Sequence, residues 1–266
     1  MPVDSLSRVH ESVNVPQTAT IGPFSFVGEG VKLGENVEIM PGAYVVGDTI
    51  IGEGSKIYPY AVVGIEPQDM KYEGERTRTI IGARCIIREH ATVHAGTKGG
   101  GGVTRIGDDC VIMVGSHVAH DCILGKGVIL VNTSGLAGHV EVGDFAVIGG
   151  VCAVHQFVRI GAHSMIGMMS TVVQDVPPFS LVHNERAELV GINLTGIRRR
   201  GFSHSDVKAI KNIYNDFYFS KEVREKRIEK LRATAPQSEA GQEVIDFLAT
   251  SGKRGILPPA STIKHF

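Results

Sequence analysis

The chain has 266 residues, 42% of them hydrophobic, and a formal net charge of −1, so it can bury a core but lacks the broad basic surface that holds a nucleic acid. No apolar run is long enough to span a bilayer, and the polar opening MPVDSLSRVH has no apolar signal core, so a cytoplasmic protein without membrane insertion is expected. Aromatic residues make up only 6%, Trp is absent and Gly numbers 33, a mix suited to a narrow aliphatic interior with many tight corners.

From the first residues onward a branched aliphatic returns every six positions: Val9, Val15, Ile21, Val27, Leu33, Ile39, Val45, Ile51, Ile57 and Val63. A period of six is neither helical nor that of an alternating strand. It is the signature of a parallel β-helix, in which three hexapeptides close one triangular coil and each short strand pairs with the coils above and below. GIEPQDMKYEGERTRTI (64–80) interrupts the beat, which resumes at Ile81, Ile87 and Val93; HAGTKGGGGVTR (94–105) interrupts it again. Two loops thrown from a strict solenoid are where such a scaffold places binding groups.

Residues 106–177 then keep the beat without a break through Ile106, Ile112, Val118, Leu124, Leu130, Leu136, Val142, Ile148, Val154, Ile160, Ile166 and Val172. In QDVPPFS (174–180) the Pro-Pro pair cannot donate to the ladder and is expected to stop further strands. Beyond it, Val207, Ile210, Ile213, Tyr214 and Phe217 recur at helical spacing after a plausible N-cap, Ser203, and helices are expected around 221–233 and 238–250. The division is therefore a β-helix over 1–190 and a small α-helical domain over 191–266, which is placed to cover the open last coil.

Cys85, Cys110, Cys122 and Cys152 each fall four residues after a repeat aliphatic, in a column otherwise filled by small residues, and read as buried structural thiols. Four of the eleven histidines lie close in sequence, at 117, 120, 139 and 155. The units starting at Val118, Leu136 and Val154 stack, so His120, His139 and His155 are expected to form a ladder on successive coils, with His117 just before it. A histidine ladder serves either a metal site or a general base with supporting neighbours, and Asp121 is placed to orient an imidazole in both cases. His10, His163, His183, His204 and His265 read as isolated.

Nearly the whole chain resembles the UDP-N-acetylglucosamine 3-O-acyltransferase family of lipid A biosynthesis. IGPFSFVG, EPQDMKYEGE, HVAHDC, LAGHV, AVHQF, QDVPP and RRGFS occur in family order, including the helical tail. The resemblance implies a left-handed β-helix; the handedness itself is not readable from the repeat. It also implies a homotrimer, and transfer of a 3-hydroxyacyl group from acyl carrier protein to the sugar 3-position without a cofactor or metal. His120 matches the general base, Asp121 its supporting carboxylate, and Gly138 the position whose N–H stabilises the oxyanion. Asp69, Lys71, His117, His139, His155, Gln156, Asn193, Arg199 and Arg200 match substrate-contacting positions, and Arg198–Arg200 with Lys208 and Lys211 offer a basic surface to an acidic carrier.

Met168 stands where familiar relatives carry Gly and accept longer chains, so an acyl group of about ten to twelve carbons is expected, each lost buried CH₂ forfeiting about 0.8 kcal/mol. Thr195 replaces an acidic residue of the familiar relative, which alters nucleotide recognition in detail. UDP-N-acetylglucosamine and its 3-amino analogue both remain open as acceptor. The competing readings are a hexapeptide transferase with a CoA donor, a zinc γ-type carbonic anhydrase using three histidines, and a solenoid without catalysis.

Overall fold

The computed structural model describes residues 3–234, 238–250 and 252–266. Its dominant element is a triangular parallel coil, because each hexapeptide supplies two strand residues and a corner. The second strand residue is the repeat aliphatic and points inward: all twelve aliphatics of 106–177 are at most 3% exposed. Full burial of each contributes roughly 1.5–3 kcal/mol, which makes these three inward-facing columns of aliphatics the main source of stability.

The strands form three sheets. One runs Arg8–Val9, Phe26–Val27, Tyr44–Val45, Val62–Ile65, Thr92–His94, His117–Val118, Gly135–Leu136, Ala153–Val154 and Thr171–Val172. The second runs from Lys32–Leu33 to Arg159–Ile160, and the third from Thr20–Ile21 to Met165–Ile166, continued by Ser180–His183 and Glu188–Ile192. Backbone hydrogen bonds pass from coil to coil, as in His117 N–H to Ser134 O at 2.9 Å. Val15, counted in the beat, lies between strands and is half-buried; Val13 takes the buried place.

The cysteines do fill the small-residue column. All four are free and buried, and Cys85, Cys110, Cys122 and Cys152 donate their thiols to Gly107 O, Gly125 O, Ala137 O and Gly167 O of the following coil. Burial pushes the Cys122 thiol up to about 12, so it stays protonated and unreactive.

The two excursions are shorter than the sequence suggests, because Arg78–Ile81 and Val103–Ile106 extend into them as strands. Asp48 pairs with Arg78 and Arg78 with Val103, spans of 30 and 25 residues where a regular coil takes 18. Both insertions leave and re-enter the same corner, between the first and second sheets, so the columns above resume in register.

Pro177 and Pro178 do not stop the strands. The Pro177 and Pro178 carbonyls accept from Ser180 Oγ (2.6 Å) and Tyr214 OH (2.6 Å), and Ser180–His183 pairs in parallel with Met165–Ile166. A missing N–H breaks a ladder only where that N–H is needed, and here the prolines occupy the corner. Glu188–Ile192 then folds back antiparallel on this last strand.

Helices α1 (Leu194–Arg199), α2 (His204–Tyr218), α3 (Arg224–Thr234) and α4 (Glu239–Ala249) follow. Ser203 caps α2 in a reciprocal box with Asp206, and Ser238, the cap of α4, also donates to Asp206 at 2.7 Å. α2 buries Ile210, Ile213, Tyr214 and Phe217, and α4 buries Val244, Ile245 and Leu248. The helices cover the last coil as expected: Phe179 is fully buried, and Tyr214 OH lies 2.9 Å from Ser180 Oγ. No helix among the described residues is long and apolar enough to cross a membrane.

Candidate active site

The site lies at the corner from which both excursions spring. His120 and Asp121 lie in the turn after the strand His117–Val118, and this corner requires a left-handed residue, which Asp121 (φ 60°), His139 (φ 60°) and Phe157 (φ 67°) supply on successive coils. Asp121 is among the better residues for this conformation; His139 and Phe157 hold it by stacking on each other, ring centroids 4.5 Å apart.

His120 and Asp121 are 7% and 4% exposed, and His120 Nδ1 lies 2.8 Å from Asp121 Oδ2. Asp121 receives further donors from the glycine-rich excursion: Thr97 N–H on Oδ1 at 2.8 Å and Thr97 Oγ–H on Oδ2 at 2.6 Å. Its own N–H donates to Thr104 Oγ1 at 2.8 Å. A carboxylate surrounded by donors makes His120 Nδ1 the donor of their contact, which leaves Nε2 with a free lone pair. That is the tautomer of a general base.

Gly138 is the residue one coil above His120. A Cβ there would lie 2.6 Å from His120 Nε2 and 3.0 Å from Nδ1, so only glycine leaves the ring its place. Gly138 is buried, yet its N–H has no acceptor among the described residues. An unpaired buried N–H beside the free imidazole nitrogen is a donor available to a bound group.

The expected histidine ladder is corrected in part. His120 and His139 meet edge-to-face at 5.1 Å, and His139 Nε2 is 3.7 Å from Asp121 Oδ2. His155 stands apart and exposed, donating from Nδ1 to the Gln156 carbonyl at 3.2 Å. The cause is register. His120, His139 and His155 are the third, fourth and second residues of their units, so an 18-residue coil carries His120 onto Gly138 and Gln156, and Asp121 onto His139 and Phe157.

His94 was missed in the sequence, where it reads as the first residue of an excursion. It ends the strand Thr92–His94, is 6% exposed and packs edge-to-face on His117 at 4.8 Å. Burial, reinforced by His117 and His120, pushes its pKa down to about 4. Burial likewise lowers His117, with His120 adding to it, and lowers His139 against the opposing pull of Asp121. All three imidazoles around His120 therefore favour the neutral form. His117 Nδ1 lies 2.7 Å from Thr92 Oγ1.

The first excursion reaches the same corner. Asp69 acts electrostatically on His139, and with Lys71, Tyr72, Thr97 and Lys98 it lines a cavity of about 710 Å³. The C-terminal segment arrives from the other side, with Arg254 Nε donating to Gln156 O at 2.7 Å and Lys253 Nζ 3.9 Å from the Phe157 ring centre. No spacing in the sequence could announce these two, since they follow the last helix.

Asn193, Arg199 and Arg200 are not brought to His120 within the chain. Asn193 caps α1 by accepting from Gly196 N–H and donates to His163 O at 2.9 Å. Arg200 lies over Phe145 at 4.2 Å and donates to Phe145 O, while Arg199 is exposed on α1. These groups gather at the corner between the second and third sheets. Met168, 68% exposed, and Met169, 63% exposed, lie at the remaining corner, and Thr195 is exposed on α1. His163, read as isolated, is packed between Phe145 and Phe179 rather than in the site.

His120, Asp121 and His139 offer ligand atoms within 4.8 Å of one another. His155, the further imidazole that the zinc reading needs, is outside this group, and Asp121 is already occupied by Thr97 and His120.

A bacterial hexapeptide transferase model matches residues 30–64 and 104–138, and a model described as UDP-N-acetylglucosamine O-acyltransferase, domain 2, matches 175–257. The acyl-[acyl-carrier-protein]–UDP-N-acetylglucosamine O-acyltransferase of Nautilia profundicola is 49% identical over 75% of this chain and 76% of its own. The Burkholderia mallei protein of the same name is 46% identical over 76% and 78%. Among solved structures, the UDP-N-acetylglucosamine acyltransferase of Francisella novicida superimposes with a TM-score of 0.93 at 37% identity, covering 97% of this chain and 95% of its own. That of Campylobacter jejuni gives 0.91 at 37% over 97% and 100%. The coil is thus the left-handed parallel β-helix of these proteins, followed by the small helical domain. The chain belongs to the UDP-N-acetylglucosamine O-acyltransferase family.

Proposed function

We propose that the protein transfers a 3-hydroxyacyl group from acyl carrier protein to the 3-hydroxyl of UDP-N-acetylglucosamine, in the first step of lipid A biosynthesis. The observation that carries the mechanism is the buried His120 Nδ1–Asp121 contact of 2.8 Å, which leaves Nε2 as the acceptor. Nε2 takes the proton of the sugar 3-hydroxyl as its oxygen attacks the thioester carbonyl. The Gly138 N–H then meets the oxyanion, and collapse breaks the C–S bond. The carrier thiolate recovers the proton from His120, which returns as the free base. No covalent enzyme intermediate is required, and the buried cysteines offer no nucleophile.

His139, neutral and beside Asp69, suits a hydrogen bond to the sugar rather than a second base role; His117, His155, Gln156 and Lys71 are assigned to substrate contact. Asn193, Arg199 and Arg200 bind the nucleotide and phosphates, and an arginine fork suits that task. They lie at a different corner from His120, and Met168 lies at a third, so one chain alone does not assemble the whole set. A homotrimer that packs corners of neighbouring prisms together does, and it also covers Phe24, Tyr60, Val151 and Met169, which are 59–72% exposed along one ridge. Met168 then limits the acyl slot to about ten to twelve carbons.

The test is transfer by the purified protein from 3-hydroxyacyl carrier protein to UDP-N-acetylglucosamine and to its 3-amino analogue, with and without His120. Removal of the general base in His120→Ala is expected to lower kcat by about 10²- to 10⁴-fold with the fold intact. Undiminished transfer by His120→Ala would remove the central residue of the mechanism.

A further inference from the structure

We propose that Thr97 is a positioning residue for this transfer, and that the glycine-rich excursion exists to deliver it. The inference deepens the acyl-transfer reading and rests on it. Thr97 is 5% exposed and both of its donors are engaged by Asp121, so it acts through that carboxylate. It grips both oxygens of that carboxylate, N–H on Oδ1 at 2.8 Å and Oγ–H on Oδ2 at 2.6 Å. Two donors from one residue fix the plane of the carboxylate. That plane decides where Oδ2 meets His120 Nδ1, and hence where the free Nε2 lone pair points.

The run of four glycines acquires a reason on this reading. Thr97 opens the short 3₁₀ turn Lys98–Gly100, and any Cβ on Gly100 would collide with the Asp121 carboxylate. Gly101 (φ 95°) and Gly102 (φ 78°) then turn the chain back into the strand Val103–Ile106, and Gly102 N–H closes the loop on Thr97 O at 2.8 Å. Thr104, in that strand, takes the Asp121 N–H, so the excursion holds Asp121 from backbone and side chain together. The excursion is in turn tied to the one bearing Asp69 and Lys71, through Lys98 N–H to Glu75 Oε1 at 3.2 Å.

The experiment is a double-mutant cycle on the purified full-length chain. Thr97→Val keeps the shape and the backbone donor but removes the hydroxyl donor; kcat is expected to fall about 10- to 100-fold with KM for either substrate within about twofold. Thr97→Ser, which restores the donor, is expected to recover kcat to within about threefold of the wild type. In a His120→Ala background Thr97→Val is expected to add almost nothing, because the residue it positions is gone. Thr97→Ala supplies the same comparison should the valine variant not fold. Thr97→Val at wild-type kcat, or an effect that persists undiminished without His120, overturns the positioning role. An inactive wild type would instead overturn the transfer reading itself.

Discussion

Gly138→Ala is the sharpest test of the site's geometry. The φ of Gly138 lies outside the left-handed region, so alanine is acceptable to the backbone and the effect is steric. The new methyl would stand 2.6 Å from His120 Nε2, where non-bonded heavy atoms settle near 3.5 Å, so the ring must withdraw by about 1 Å. It cannot do so and keep its 2.8 Å contact with Asp121. Misplacement of a catalytic group by about 1 Å costs on the order of 10²-fold in rate, and overpacking costs about 1–3 kcal/mol of stability. Steady-state transfer at saturating substrates, together with urea unfolding followed by circular dichroism, reads both. The reasoning fails if Gly138→Ala keeps kcat within about twofold of the wild type.

Met168→Gly is expected to move the preferred donor from about ten to twelve carbons towards longer chains, by roughly 0.8 kcal/mol per added CH₂ that gains a buried place; a clear preference of the wild type for fourteen carbons in a carrier-protein series would sink the assignment. Acid stability follows from His94. Its folded pKa of about 4 lies below the ordinary 6.5, so between those values the unfolded chain holds a proton that the native one does not. Stability is therefore complete above pH 6.5 and is lost as pH falls towards 4, with His117 and His139 acting in the same direction. His94→Leu should flatten that decline, measured as urea midpoints at several pH values, and an unchanged slope would count against the buried neutral imidazole.

The hexapeptide beat made the solenoid legible because the inward position of every unit takes one kind of side chain, whatever the corner does. Ser203 and the spacing after it made α2 legible for the same local reason. Legibility failed where a residue's neighbours come from other coils. Counting units placed His155 with His120, but a one-residue offset within the hexapeptide sends a side chain to a different column. His94, Thr97 and Lys253 gave no signal, since two sit in an excursion of undefined register and one follows the last helix.

Composition, the period of six and the histidine-bearing hexapeptides were thus enough to determine the architecture and the family, and they singled out His120 and Asp121 as candidates. Those properties are carried by local sequence. The tautomer of His120, the need for glycine at 138, and the corner shared by both excursions were decided only by tertiary structure. Each depends on which atoms successive coils bring within hydrogen-bonding distance, and coils lengthened by the insertions to 30 and 25 residues hide that from any count along the chain.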